Sequence, residues 1–200
     1  MYLYLKKYKM FLRLIIIFFG IFFLFSKSAW AGDCDTSISS ATTSQLVCAN
    51  DDTLTVSSGG SIIVDDDRAV NGVSTSGVTI INEGTIQSGT TDSTKDFTIS
   101  AQSSTNMTIT NSGTIEATDD YGIWITDAEN LTITNESGGT IRSAETSTSK
   151  AAAIGGNGTT GLTLHNYGTL DSQRRTLVST SGGDNLTINN YNGGVIDSNK

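Results

Sequence analysis

One pattern of nine to eleven residues recurs six times between residues 54 and 196, and a chain built this way buries its apolar face only by stacking like units on one another. The copies read LTVSSGGSI (54–62), VTIINEGTI (78–86), MTITNSGTI (107–115), LTITNESGGTI (131–141), LTLHNYGTL (162–170) and LTINNYNGGVI (186–196). Their starts are separated by 24, 29, 24, 31 and 24 residues. Leu54, Val78, Met107, Leu131, Leu162 and Leu186 form a first apolar column, and Val56, Ile80, Ile109, Ile133, Leu164 and Ile188 a second, two residues on. Between them stands threonine throughout: Thr55, Thr79, Thr108, Thr132, Thr163 and Thr187. Apolar–Thr–apolar is period-2 alternation, which predicts a strand with one buried face.

Asn82, Asn111, Asn135, Asn166 and Asn190 follow, with Ser58 in the first copy. Asparagine tolerates left-handed backbone and bonds its own main chain, so this column predicts a repeated corner. Gly60, Gly84, Gly113, Gly139, Gly168 and Gly194 then open a second strand whose inward residue is Ile62, Ile86, Ile115, Ile141, Leu170 or Ile196. An aliphatic residue also stands eight positions before each later copy (Val70, Ile99, Ile123, Ile154, Val178), which predicts a third strand.

Three short strands per unit of 24 residues predict an all-β fold, a right-handed single-stranded parallel β-helix. A sandwich would instead show hairpin signals and variable strand spacing. In a β-helix like residues stack ~4.8 Å apart. The inward aliphatic residues contribute ~1.5–3 kcal/mol each on burial. Two sources account for the uneven spacing: two extra residues at the fourth corner, and a loop five residues longer between the second and third strands of copies two and four. Residues 32–53 are expected to cap the first coil, and residues 54–200 to hold the repeats. The chain stops at Lys200 without a capping segment, so the sequence reads as a longer solenoid cut mid-coil.

Composition supports this architecture. Ser, Thr, Asn and Gly make up 45% of the chain, yet Pro is absent and charged residues are only 16%. Disordered linkers of such polarity carry more Pro and charge, collagen needs Gly at every third position, and these four residues are poor helix formers.

Residues 1–31 belong to another class. Lys6, Lys7, Lys9 and Arg13 precede a 12-residue apolar run, Leu14 to Phe25, and Ala29 and Ala31 supply small residues before a cleavage point at Gly32. This is the layout of a helical secretory signal peptide, and the run falls short of the ~20 residues a spanning helix needs. Removing the leader takes away five cations and no acid, moving the net charge from −8 to −13. That surface repels nucleic acid and anionic membrane, so neither is an expected partner. In an exported protein the only two cysteines, Cys34 and Cys48, are expected to pair, a closure worth ~3 kcal/mol in the loop-entropy model.

The recurring Asn-x-Gly-Thr-Ile units, with an aliphatic strand before the next Leu-Thr-Ile, resemble the passenger β-helix of bacterial autotransporters and related surface adhesins over residues 54–200. The resemblance implies display at the cell surface or outer membrane, or release to the exterior, and a stalk or adhesive role without catalysis. Membrane contact would then come only through the export signal or through a C-terminal barrel that this sequence does not contain. A β-helix polysaccharide lyase or hydrolase is the enzyme-class alternative, and a nonfunctional remnant of a longer gene the third.

The candidate residues divide by column. His165 falls in an outward column with Ser57, Ile81, Thr110, Thr134 and Asn189 and reads as a solvated surface histidine. Asp65, Asp66 and Asp67 form a carboxylate run, but adjacent acids splay apart, so no metal and no cofactor is expected. Gly155-Gly156-Asn157-Gly158 reads as a turn. Glu116, Arg142, Asp171 and Asp197 share a column with Ile63 and Gln87; it could imitate a catalytic carboxylate cluster but reads as a charged outer face. Asn-x-Ser/Thr sequons at Asn106, Asn130, Asn135, Asn157 and Asn185 follow from the composition. Contact with a host or environmental glycan or protein surface is expected at exposed aromatics and loops. Tyr167 and Tyr191 should stack in the corner column Glu83, Ser112, Glu136, Tyr167, Tyr191, and Trp124 should point outward between inward Ile123 and Ile125. Lys95 and Lys150, in the long loops 89–98 and 144–153, should protrude from one edge.

Overall fold

A computed structural model describes residues 32–89, 97–145, 152–173 and 182–198. The leader (1–31, with Ala29 and Ala31), Lys95, Lys150 and Val178 lie outside the described residues. The chain is all-β, its parallel sheets stacked as a solenoid of about five turns at about 26 residues per turn. A first, short coil carries β1 (Gly32–Asp33), β2 (Thr36–Ile38), β3 (Ala41–Thr42) and β4 (Leu46–Val47). Then come β5 (Thr53–Val56), β6 (Ser61–Asp65) and β7 (Val70–Asn71), followed by β8 (Thr79–Asn82), β9 (Thr85–Gly89) and β10 (Phe97–Ser100). The middle coils carry β11 (Thr108–Asn111), β12 (Thr114–Ala117), β13 (Tyr121–Trp124), then β14 (Thr132–Asn135), β15 (Thr140–Ser143) and β16 (Ala152–Gly155). β17 (Thr163–Asn166), β18 (Thr169–Ser172), β19 (Thr187–Asn190) and β20 (Val195–Ser198) complete the described strands.

Up to β18 every third strand joins the same sheet, and β19 and β20 then add to β17 and β18. The orders are β2-β5-β8-β11-β14-β17-β19, β3-β6-β9-β12-β15-β18-β20 and β1-β4-β7-β10-β13-β16, all parallel. Ile80, Ile109, Ile133 and Leu164 lie opposite one another in the first sheet, Ile86, Ile115, Ile141 and Leu170 in the second, and Leu46, Val70, Ile99, Ile123 and Ile154 in the third. These aliphatic residues are buried and form one continuous core. The threonines between them in the first sheet are half-buried on the outer side. Segment 32–53 adds a strand to each of the three sheets, so the N-terminal end is itself a short coil of the solenoid. Cys34 and Cys48 are joined there by a disulfide with Cα atoms 4.6 Å apart, both side chains buried in the core.

The repeat alignment slips by two residues in the first copy. Leu54 pairs with Ile80 and Val56 with Asn82, whereas the sequence columns set Leu54 against Val78 and Ser58 against Asn82. The second sheet keeps the expected register, Ile62 against Ile86. The two-residue difference is absorbed at the corner, which holds four residues, Ser57–Gly60, instead of the two in Glu83-Gly84. Such wide corners also occur at Glu136–Gly139 and Tyr191–Gly194, each closed by a turn in which Gly60, Gly139 or Gly194 N–H donates to the carbonyl three residues earlier (2.7, 2.9 and 2.9 Å).

The asparagine column also differs from expectation. None of Asn82, Asn111, Asn135, Asn166 or Asn190 has left-handed backbone. They end their strands with side chains on the inner side, the first four buried. There the amides form a ladder: each Nδ2 donates to the Oδ1 of the next coil, from Asn82 to Asn190, at 2.7, 2.9, 2.9 and 2.7 Å. Second Nδ2 contacts reach the Thr114, Thr140, Thr169 and Val195 carbonyls at 3.0–3.2 Å. A primary amide has two donors and an acceptor, so it satisfies itself where the tightening corner leaves carbonyls unpaired.

Left-handed backbone is concentrated in the turn that leads into each new copy. Ser74, Ser103, Asp127, Gly158 and Gly182 adopt it, and so do the residues three positions later, Gly77, Asn106, Asn130, Gly161 and Asn185. Asp51 does the same in the first coil. Glycine, asparagine and aspartate carry little penalty in this conformation, and that requirement explains a Gly/Asn column immediately before the first apolar residue. Inside the turn Thr75 and Ser104 are buried, their hydroxyls donating to the Gly72 and Ala101 carbonyls at 2.8 and 2.7 Å.

Candidate functional site

The corner between the first and second sheets brings together the most distinctive exposed side chains. Tyr167 and Tyr191 each begin a corner, one coil apart, and their rings stack with centroids 4.2 Å apart and planes 4° from parallel. They remain 36% and 37% exposed, so the stack is a surface feature rather than a core contact. His165 precedes Tyr167 by two residues and lies opposite Thr134 and Asn189 in the outward column. It is not simply solvated. Its Nδ1 lies 3.0 Å from the Tyr191 hydroxyl, and its ring lies 5.8 Å from the Tyr191 ring at 29°. Desolvation, then the hydrogen bond to Tyr191 and the negative charge of Glu136, push the Tyr167 phenol above the usual tyrosine range. The Tyr167 phenol therefore stays protonated at neutral pH and keeps its hydroxyl proton.

The charged column runs along the outer face of the second sheet in the expected order. Glu116 lies opposite Gln87 and Arg142, Arg142 opposite Asp171, and Asp171 opposite Asp197. Arg142 forms an ion pair with Glu116. The hydrogen bond to Glu116 raises the guanidinium pKa, against a smaller lowering by desolvation; the charges of Glu116 and Asp171 add to the rise. The arginine thus pairs with Glu116 and offsets one of the two flanking carboxylate charges on this outer face.

Trp124 is half-buried and belongs to a cluster. It stacks on Phe97 (5.0 Å, 10°) and packs against Tyr121 (4.5 Å, 44°), while the Arg68 guanidinium lies 5.5 Å from the centroid of the Phe97 ring. The expected free outward tryptophan is thus a packed one. Its neighbour Phe97 lies opposite Tyr121, both ten residues before the next copy, a column outside those that the repeat alignment followed.

Asp67 Oδ1 accepts from the Arg68 N–H at 2.8 Å, and Asp66 takes left-handed backbone with its N–H on the Gly89 carbonyl at 2.6 Å. Among the described residues no group of three or more His, Cys, Asp or Glu side chains is placed to hold a metal ion. Gly158 takes left-handed backbone in the turn after β16. Gly32 starts β1 and pairs with Leu46. No protein-family model, curated protein or solved structure matches this chain.

Proposed function

We propose that the chain is an exported, non-catalytic β-solenoid that serves as a stalk or adhesive scaffold, in the manner of the passenger region of an autotransporter-like surface protein. The disulfide carries the reading. Cys34 and Cys48 are the only cysteines, they are bonded in the first coil, and such bonds persist in oxidising compartments outside the cytosol. The basic-then-apolar leader ending at Ala29-Trp30-Ala31 gives a route to that compartment. A stacked solenoid with exposed corners fits presentation of surface side chains to a partner, and an acidic surface favours solubility over adsorption to anionic membrane or nucleic acid. Partners in this reading are glycan or protein surfaces of a host or the environment.

Expression of the full chain in a bacterium with a secretory pathway tests export directly. N-terminal sequencing of the product outside the cytoplasm should begin at Gly32, with no free thiol by alkylation. A product kept in the cytoplasm with Met1 intact and both thiols free would overturn the proposal.

A further inference from the structure

We propose that the Tyr167–Tyr191 stack, with His165, is a contact site for a neutral hexopyranose oligosaccharide. The inference rests on the adhesive reading above and names the ligand of its surface. Three observations carry it.

The first is shape. Two tyrosine rings 4.2 Å apart and 4° from parallel form a face-to-face stack at adjacent corners, each more than a third exposed, so that their edges, outer surfaces and hydroxyls meet solvent. Pyranose rings with equatorial hydroxyls have apolar C–H faces and polar rims, and such ligands suit aromatic side chains that end in a hydroxyl.

The second is hydrogen-bonding capacity. The Tyr191 hydroxyl lies 3.0 Å from His165 Nδ1, and the Tyr167 phenol, pushed above the usual tyrosine range mainly by desolvation, keeps its proton at neutral pH.

The third is charge. Glu136 occupies the same corner column one coil earlier, and Asp171 and Asp197 follow on the adjoining second sheet. Together with a net charge of −8 for the whole chain, these carboxylates oppose uronic, sulfated or sialylated chains. A neutral sugar meets no such repulsion.

His165 is the single histidine of the chain, so its imidazole resonances report on this corner without assignment. The experiment takes untagged protein recovered from expression of the full chain and titrates it with cellotetraose, with chitotetraose and with tetragalacturonate, to about 10 mM each. A saturable shift of the His165 resonances with a neutral tetrasaccharide, and none with tetragalacturonate, is expected. The double substitution Tyr167→Ala/Tyr191→Ala should weaken binding at least tenfold while leaving the circular dichroism unchanged. Should that variant misfold, Tyr191→Leu keeps the bulk of the side chain without the ring, and a tenfold loss is again expected. No shift with either neutral sugar, equal binding of the galacturonate, or unchanged binding by a folded variant would overturn the assignment. Response to a peptide but to no sugar would do so as well. Export is read separately by the sequence at Gly32, so a secreted chain that binds no sugar removes this inference alone.

Discussion

Replacing Gly113 with alanine is expected to destabilise the chain by about 3 kcal/mol or more, a fall of roughly 6–12 °C in Tm for a domain of this size. Gly113 has ordinary negative φ, so conformational freedom is not the reason. A Cβ there would run into the Gly84 backbone carbonyl of the preceding coil, and the same holds for Gly84 over Gly60 and Gly168 over Gly139. Strands held at the ~4.8 Å ladder spacing leave no room for the coil to move away, because every strand beside it is hydrogen-bonded on both sides. Gly138 is the control. It has φ +88°, and a Cβ added there would meet nothing within 4 Å, so Gly138→Ala should cost only backbone strain, about 1 kcal/mol. Thermal unfolding of the two variants checks the ranking; equal losses would mean that coil stacking does not set the glycine column.

Asn111→Asp is the second large effect, about 3–5 kcal/mol at neutral pH. Asn111 is fully buried, accepts from Asn82 Nδ2 and donates to Asn135 Oδ1. A carboxylate keeps the first bond, loses the second, and faces the Asn135 oxygen with a buried negative charge. The introduced carboxyl therefore has its folded-state pKa raised above its unfolded value of about 4. The sign follows: the folded state binds the proton more tightly, so the penalty is smallest below about pH 4 and grows as pH rises through the folded-state value. Asn111→Ala should instead lose about 1–3 kcal/mol without that pH dependence. Denaturant unfolding at pH 4 and pH 8 separates the two; a pH-independent loss for Asn111→Asp would remove the amide ladder from the account.

Much of the fold was legible because the columns recur at fixed offsets. Ile99, Ile123 and Ile154 stand eight residues before the next copy, and that spacing alone marked the third sheet. Tyr167 and Tyr191 were legible for the same reason, sharing a column in adjacent coils. What stayed hidden depends on properties that one residue type carries in two versions. Asparagine serves both left-handed turns and amide ladders, and only the stacked strands show that Asn111 does the second while Asn106 does the first. The register of the first copy was hidden because the four-residue corner Ser57-Ser58-Gly59-Gly60 matches a two-residue corner in length of motif; the paired glycines at Gly138-Gly139 and Gly193-Gly194, which mark the other wide corners, were the available signal. Trp124 packs with Phe97 between the paired strands β10 and β13, a diagonal contact that columns of like residues do not mark.

Each coil lies in register on the next, and engineered disulfides test that central claim most directly. Thr108 and Thr132 are paired across β11 and β14, and both are half-buried on the outer face. In-register Cα atoms ~4.8 Å apart fall within disulfide reach, whereas a two-residue offset along the strand sets them roughly 8 Å apart. Thr108→Cys/Thr132→Cys should oxidise to an intramolecular bond by peptide mapping, with Cys34–Cys48 intact, and Thr108→Cys/Thr134→Cys should not. Efficient closure of the offset pair, or failure of the in-register pair in folded protein, would contradict the stacked solenoid.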